Sequence, residues 1–137
     1  WRVEPVKFAT RREKNFSIAE SKKVLENPKA STAQRNNAAF QIAWAMRIER
    51  PIELTCLDFG QAKILHLPGE PFIEYQLAAQ EMCKEYFVCV AGYGDGGLGY
   101  IPTDKAFLEG GYEPTVALAA PCEKLLKQAI KTVLKCG

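Results

Sequence analysis

Apolar and polar positions change period several times along this 137-residue chain, and each change marks an element. Val6, Phe8 and Thr10 alternate, which reads as a short extended segment. Pro5 keeps that segment near a sheet edge, because proline cannot donate to a ladder. Ser17 and Glu20 have the spacing of a capping box and predict a helix that stops before Asn27-Pro28. A second box, Ser31 with Gln34, predicts a longer helix through "TAQRNNAAFQIAWAMRIER", closed by Pro51. In it Ala39, Ile42, Ala43 and Met46 recur at three- and four-residue spacing.

The period then shortens. Ile52, Leu54 and Cys56 alternate, a turn falls near Asp58 to Gln61, and a second apolar strand runs from Ala62 to Leu67, a β-hairpin pattern. "PFIEYQLAAQEMCKEY" predicts a helix with Phe72, Tyr75, Ala79 and Met82 along one side. "YFVCVAG" predicts a compact buried strand, being short and β-branched. A glycine-rich loop from Gly92 to Thr103 follows, then one helical turn from Asp104 and the loop "EGGYEPT". The last helix carries Leu125, Leu126, Ala129, Ile130, Val133 and Leu134 opposite several lysines. Helices and strands interleaved along one chain predict a single layered α/β (mixed α+β) domain spanning 1–137, with helices packed on a small sheet.

Composition excludes some functions. With 18 Lys+Arg against 16 Asp+Glu, the net charge of +2 is too small and too evenly spread for a nucleic-acid surface. No apolar run approaches the ~20 residues needed to cross a bilayer, so no membrane span is expected. At 47% hydrophobic residues a core can form. The five cysteines make no CxxC or Cys/His zinc pattern. Cys56, Cys83 and Cys89 sit in apolar patterns and read as small hydrophobes. One pair remains open to a disulfide, which leaves the compartment undetermined. The chain opens at Trp1 rather than a methionine, which suggests a piece of something longer.

Gly92 to Gly97, "GYGDGG", matches GxGxxG after a strand. A dinucleotide site needs a helix N-terminus directly behind that pattern, and Pro102 opposes one. His66 is the sole histidine, which leaves no basis for a Ser-His-Asp relay, and GxSxG and HExxH are absent. Glu70 is the informative residue. Pro71 suits the first position of a helix, which would make Glu70 its cap, worth roughly 0.3–1 kcal/mol against the helix dipole. Glutamate is nonetheless a poor cap beside Ser, Asp or Asn, so another role for it is worth seeking.

Three motifs together supply one. "LHLPGE" ending at Glu70, "GYGDGGLGYIPT" with its last tyrosine 30 residues further on at Tyr100, and "GGYE" from Gly110 to Glu113 resemble, in order and spacing, the zinc-dependent neutral (non-lysosomal) ceramidases. The resemblance runs from about Ile52 to Glu113. It implies that Glu70 and Tyr100 are two of four zinc ligands and that Tyr112 helps hold the oxyanion formed during amide cleavage. A carboxylate and a phenolate are oxygen donors that zinc accepts, and the metal lowers the pKa of its bound water to roughly 7.

The family's two histidine ligands and its active-site serine lie in an N-terminal region not contained in this chain. The resemblance therefore implies the C-terminal part of a larger catalytic domain, incomplete and inactive alone. Its partner would be the remaining N-terminal catalytic region, its substrate a lipid amide, and its parent a secreted or periplasmic protein. Pro71, Phe72, Ile73 and Glu74 stand where the family has Phe-Thr-Thr-Met, Asp95 replaces an asparagine, and Pro102 replaces a threonine, which leaves the substrate open. A competing expectation is a non-catalytic binding or scaffold domain that uses Gly92 to Thr103 for recognition.

Overall fold

The computed structural model describes residues 1–11, 17–94 and 98–136. Its elements follow one another as β1 (Arg2–Val6), α1 (Ile18–Glu26), α2 (Thr32–Arg47), β2 (Ile52–Asp58), β3 (Ala62–Pro68), β4 (Glu70–Pro71), α3 (Ile73–Met82), β5 (Phe87–Gly94), β6 (Tyr100–Ile101), α4 (Asp104–Glu109), α5 (Tyr112–Val116) and α6 (Glu123–Leu134). Four strands form a mixed sheet in the order β1-β2-β3-β5. The β1–β2 and β2–β3 pairs are antiparallel, and β5 runs parallel to β3. A parallel neighbour needs a crossover connection, and α3 supplies it. The expected mixed α+β architecture is the one observed.

The hairpin turn is built by Asp58, whose carboxylate accepts from the Gly60 N–H at 2.9 Å while Phe59 N donates to Ala62 O at 2.8 Å. The same carboxylate takes Lys63 Nζ at 2.7 Å and Arg2 Nη2 at 2.6 Å. Lys63 is thereby buried with its charge compensated, and its ammonium also lies 4.4 Å from the Tyr86 ring centre.

One sheet face carries the core. Leu54, Cys56, Leu65 and Leu67 meet Tyr75 and Ala79 of α3 and Leu126, Ile130 and Leu134 of α6. Each fully buried large side chain contributes about 1.5–3 kcal/mol of burial. The stripe on α6 is as expected except for Leu125, which faces solvent. A disulfide joins Cys83, at the C-cap of α3, to Cys136 just beyond α6, so the two helices that cover this face are tied at one end.

Local expectations differ from the structure in several places. The apolar side of α2 consists of Ala38 and Trp44, with Ala39 and Ala43 exposed and Met46 66% exposed. Trp44 decides the rotation: its Nε1 donates to Thr10 Oγ1 at 3.2 Å, and one indole outweighs several alanines in buried area. The capping box at Ser31 is complete, and the Ser17 side chain accepts from Glu20 N at the start of α1. β5 is an edge strand with Phe87 and Cys89 exposed rather than a compact buried one. Cys89 is therefore not core, and Cys83 is a disulfide half rather than a free hydrophobe. "EGGYEPT" is not wholly loop, since α5 forms within it. No helix among the described residues is long and apolar enough to cross a membrane.

Candidate functional site

The segment after β3 turns at Gly69, whose φ is 61. A Cβ there would fall 2.6 Å from Gly99 O and 2.8 Å from Leu98 Cβ, so glycine alone allows the two chain segments to touch. Glu70 N then donates to Gly99 O at 2.8 Å and Phe72 N to Ile101 O at 3.1 Å. The result is the small parallel pair β4–β6, with Glu70 opposite Tyr100 and Pro71 opposite Ile101. Leu98, Ile101 and Pro102 are fully buried and anchor the β6 side. Tyr75 secures it from α3 by donating its hydroxyl to Pro102 O at 2.9 Å, and burial pushes that phenol far above its ordinary range.

This geometry corrects the helix-cap expectation for Glu70. The helix starts later, with Phe72 at its N-cap, and Glu70 is a strand residue. Proline at position 71 suits an extended segment as well as a first helical turn, and the backbone partners on β6 decide between them.

Glu70 and Tyr100 line one cavity of about 380 Å³. Glu113 adds a second carboxylate, Leu67, Pro71, Phe72, Ile73 and Val90 form apolar walls, and Gln76, Gly92 and Tyr93 complete the lining. The charge of Glu70, foremost, raises the Tyr100 phenol above its ordinary pKa, helped by partial desolvation and by Tyr112, Glu113 and Tyr93. Tyr112 does not line the cavity. It is 68% exposed and packs edge-on against Tyr100, the ring centres 6.0 Å apart at 77°.

Glu113 and Tyr93 line the cavity without having been assigned a site role from the sequence. Glu113 had a visible signal, since it closes the "GGYE" motif and α5 carries it to the cavity. Tyr93 was marked only as part of the Gly92 to Thr103 loop expected for recognition, since what sets it apart is a backbone angle. His66 stands apart, with Nδ1 3.2 Å from Thr55 Oγ1 and its ring 6.2 Å from that of Trp1. Cys122 is buried, and burial, then the charges of Asp104 and Glu123, pushes its thiol up to about 12, which favours the protonated form. The GxGxxG match has no helix directly behind it; its residues 95–97 lie outside the described ones, β6 follows, and the next helix begins at Asp104.

Zinc fits this donor set in part. Glu70 and Tyr100 are oxygen donors held side by side by strand register, and a cation between them would relieve the field that disfavours the phenolate. Catalytic zinc takes about three protein ligands, and among the described residues no group of three or more His, Cys, Asp and Glu side chains is placed to hold a metal ion.

Compared with family models, curated proteins and solved structures, the chain matches none. The likeness to ceramidases therefore rests on the three motifs alone.

Proposed function

We propose that this chain supplies part of the active site of a zinc-dependent amide hydrolase resembling neutral ceramidase. The observation that carries the reading is the register of β4 and β6, which sets Glu70 directly opposite Tyr100 although 30 residues separate them. These two side chains would hold zinc, which when bound supplies a water acidic enough to act as hydroxide near neutral pH. Gly69 and the buried Leu98-Ile101-Pro102 anchor fix the spacing of the two donors. Tyr112, which packs against the Tyr100 ring outside the cavity lining, takes from the resemblance alone the role of offering its hydroxyl to the oxyanion of a lipid amide. The remaining ligands would come from an N-terminal catalytic region, and this chain alone would be inactive.

One observation favours the second reading, a binding or scaffold domain using Gly92 to Thr103: Gly92 and Tyr93 of that loop line the cavity.

Zinc titration against a chromophoric chelator separates the two. The 137-residue chain should bind weakly, and Glu70→Gln and Tyr100→Phe should each weaken binding at least about tenfold, a loss that even outer partners of a metal can produce. Glu81→Gln, at an exposed carboxylate paired with Lys84, is the control. Equal affinity in all three variants removes the ligand assignment and leaves the binding-domain reading.

A further inference from the structure

Strand β5 ends in Gly92-Tyr93-Gly94, and the left-handed backbone step in that tripeptide falls on the tyrosine. Tyr93 has φ 61, a region glycine enters freely and a bulky side chain enters only under constraint. Neither flanking glycine has a positive φ. At Gly94 the missing side chain serves close approach instead, while a Cβ at Gly92 would make ordinary contact. A Cβ on Gly92 would lie 3.4 Å from Pro71 Cδ, and one on Gly94 would lie 3.0 Å from Leu67 O. The left-handed conformation is held by the Tyr93 N–H, which donates to Gly69 O at 2.6 Å, while Gly69 N donates to Gly94 O at 3.0 Å. The same glycine that brings Glu70 to Tyr100 thus also fixes the backbone of Tyr93.

The fold receives little in return. Tyr93 is 77% exposed, so its ring adds almost nothing to the core, yet it lines the cavity that holds Glu70 and Tyr100. Non-glycine residues kept in such conformations concentrate at ligand clamps, where the surrounding structure maintains them. A tyrosine ring is suited to that task, because it offers large contact area with few rotatable bonds.

We propose that Tyr93 is a ligand-contacting residue whose ring closes over the apolar part of a ligand bound in this cavity. The ligand class rests on the amide-hydrolase reading; the placement of Tyr93 does not. Leu67, Phe72, Ile73 and Val90 offer an apolar wall for an alkyl group. Glu70 and Glu113 make the polar end hostile to anions, so an uncharged amide is accepted and a free fatty carboxylate is rejected.

The test is an NMR titration of the chain with N-octanoylethanolamine, a single-chain neutral amide, and in parallel with octanoate. The amide should bind at least about tenfold tighter than octanoate, a discrimination of the size expected from unpaired like charges. Tyr93→Phe, which keeps the ring, should bind within about twofold of the parent. Tyr93→Asn and Tyr93→Gly should bind about tenfold more weakly, the loss expected for one large apolar contact. Both should melt no lower than the parent, and up to about 2–5 °C higher, because Asn and Gly accept the left-handed conformation.

An Asn variant that binds the amide as tightly as the parent, a parent that does not bind it, or Asn and Gly variants that melt several degrees lower each overturn the proposal. The metal reading is scored separately on Glu70→Gln. Zinc binding that survives that change with the Tyr93 effect intact refutes only the ligand assignment. Zinc binding lost there with no Tyr93 effect refutes only the present inference.

Discussion

Replacing Gly69 by alanine tests the structural foundation of the site, and Gly60 provides the matched control. Both glycines have positive φ, 61 and 80, so alanine at either pays the left-handed penalty of about 1–2 kcal/mol, partly offset by a less flexible unfolded chain. Their surroundings differ. A Cβ at Gly60 meets nothing within 4 Å, whereas at Gly69 it meets Gly99 O at 2.6 Å and Leu98 Cβ at 2.8 Å. Neither atom can rotate away, so β4 and β6 must part.

Separation breaks the bonds from Glu70 N to Gly99 O and from Phe72 N to Ile101 O, each worth about 0.5–1.5 kcal/mol, and loosens the burial of Leu98. Gly69→Ala should therefore cost about 2–3 kcal/mol more than Gly60→Ala, read as the difference in urea midpoints followed by fluorescence of the buried Trp44. It should also lower zinc affinity, which Gly60→Ala should leave unchanged. Equal destabilisation by the two substitutions would refute the claim that backbone contact at Gly69 holds the pair together.

Reducing the Cys83–Cys136 bond, which spans 53 residues, should cost about 4 kcal/mol by loop-closure entropy and move the urea midpoint down by about 2 M; superimposed curves with and without reductant would count against the bond. The Asp58 carboxyl is held down to about 2, first by the hydrogen bond from Lys63 and then by the Gly60 N–H. A depressed carboxyl stabilises the fold above its unfolded pKa and loses that contribution as pH falls through its folded value. The fall in midpoint between about pH 4 and pH 2 should accordingly be shallower in Asp58→Asn than in the parent. Leu126→Ala, at a fully buried position on α6, should cost about 2–5 kcal/mol in the same assay, against little for Leu125→Ala, whose side chain faces solvent.

What could be read from the sequence was what neighbours along the chain decide. The boxes at Ser17 and Ser31, the alternation around Leu54 and Cys56 and the stripe on α6 are local signals, and each element formed where its period placed it. The rotation of α2 was not legible, because its alanines give weak periodicity and the decision rests on Trp44 reaching Thr10 across 34 residues. The start of α3 was misplaced for a similar reason, since what claims Glu70 and Pro71 is β6. Of the site, the motif residues Glu70 and Tyr100 came to line one cavity, Tyr112 packed against Tyr100 without lining it, Glu113 entered it from the end of a motif already marked, and Tyr93 entered it from the glycine-rich loop. The partner of Cys83 could not be chosen from spacing among five cysteines.

The β4–β6 pair has only two positions in register, which makes the cavity's chemistry depend on counting. Sliding one segment by a single step would present Gly99 or Ile101 to Glu70 and turn Tyr100 to the opposite side. Buried Leu98 and left-handed Gly99 stand just ahead of β6 and hold that count, so one residue inserted between Gly99 and Tyr100 would erase the acid–phenol juxtaposition while leaving every side chain of the site present.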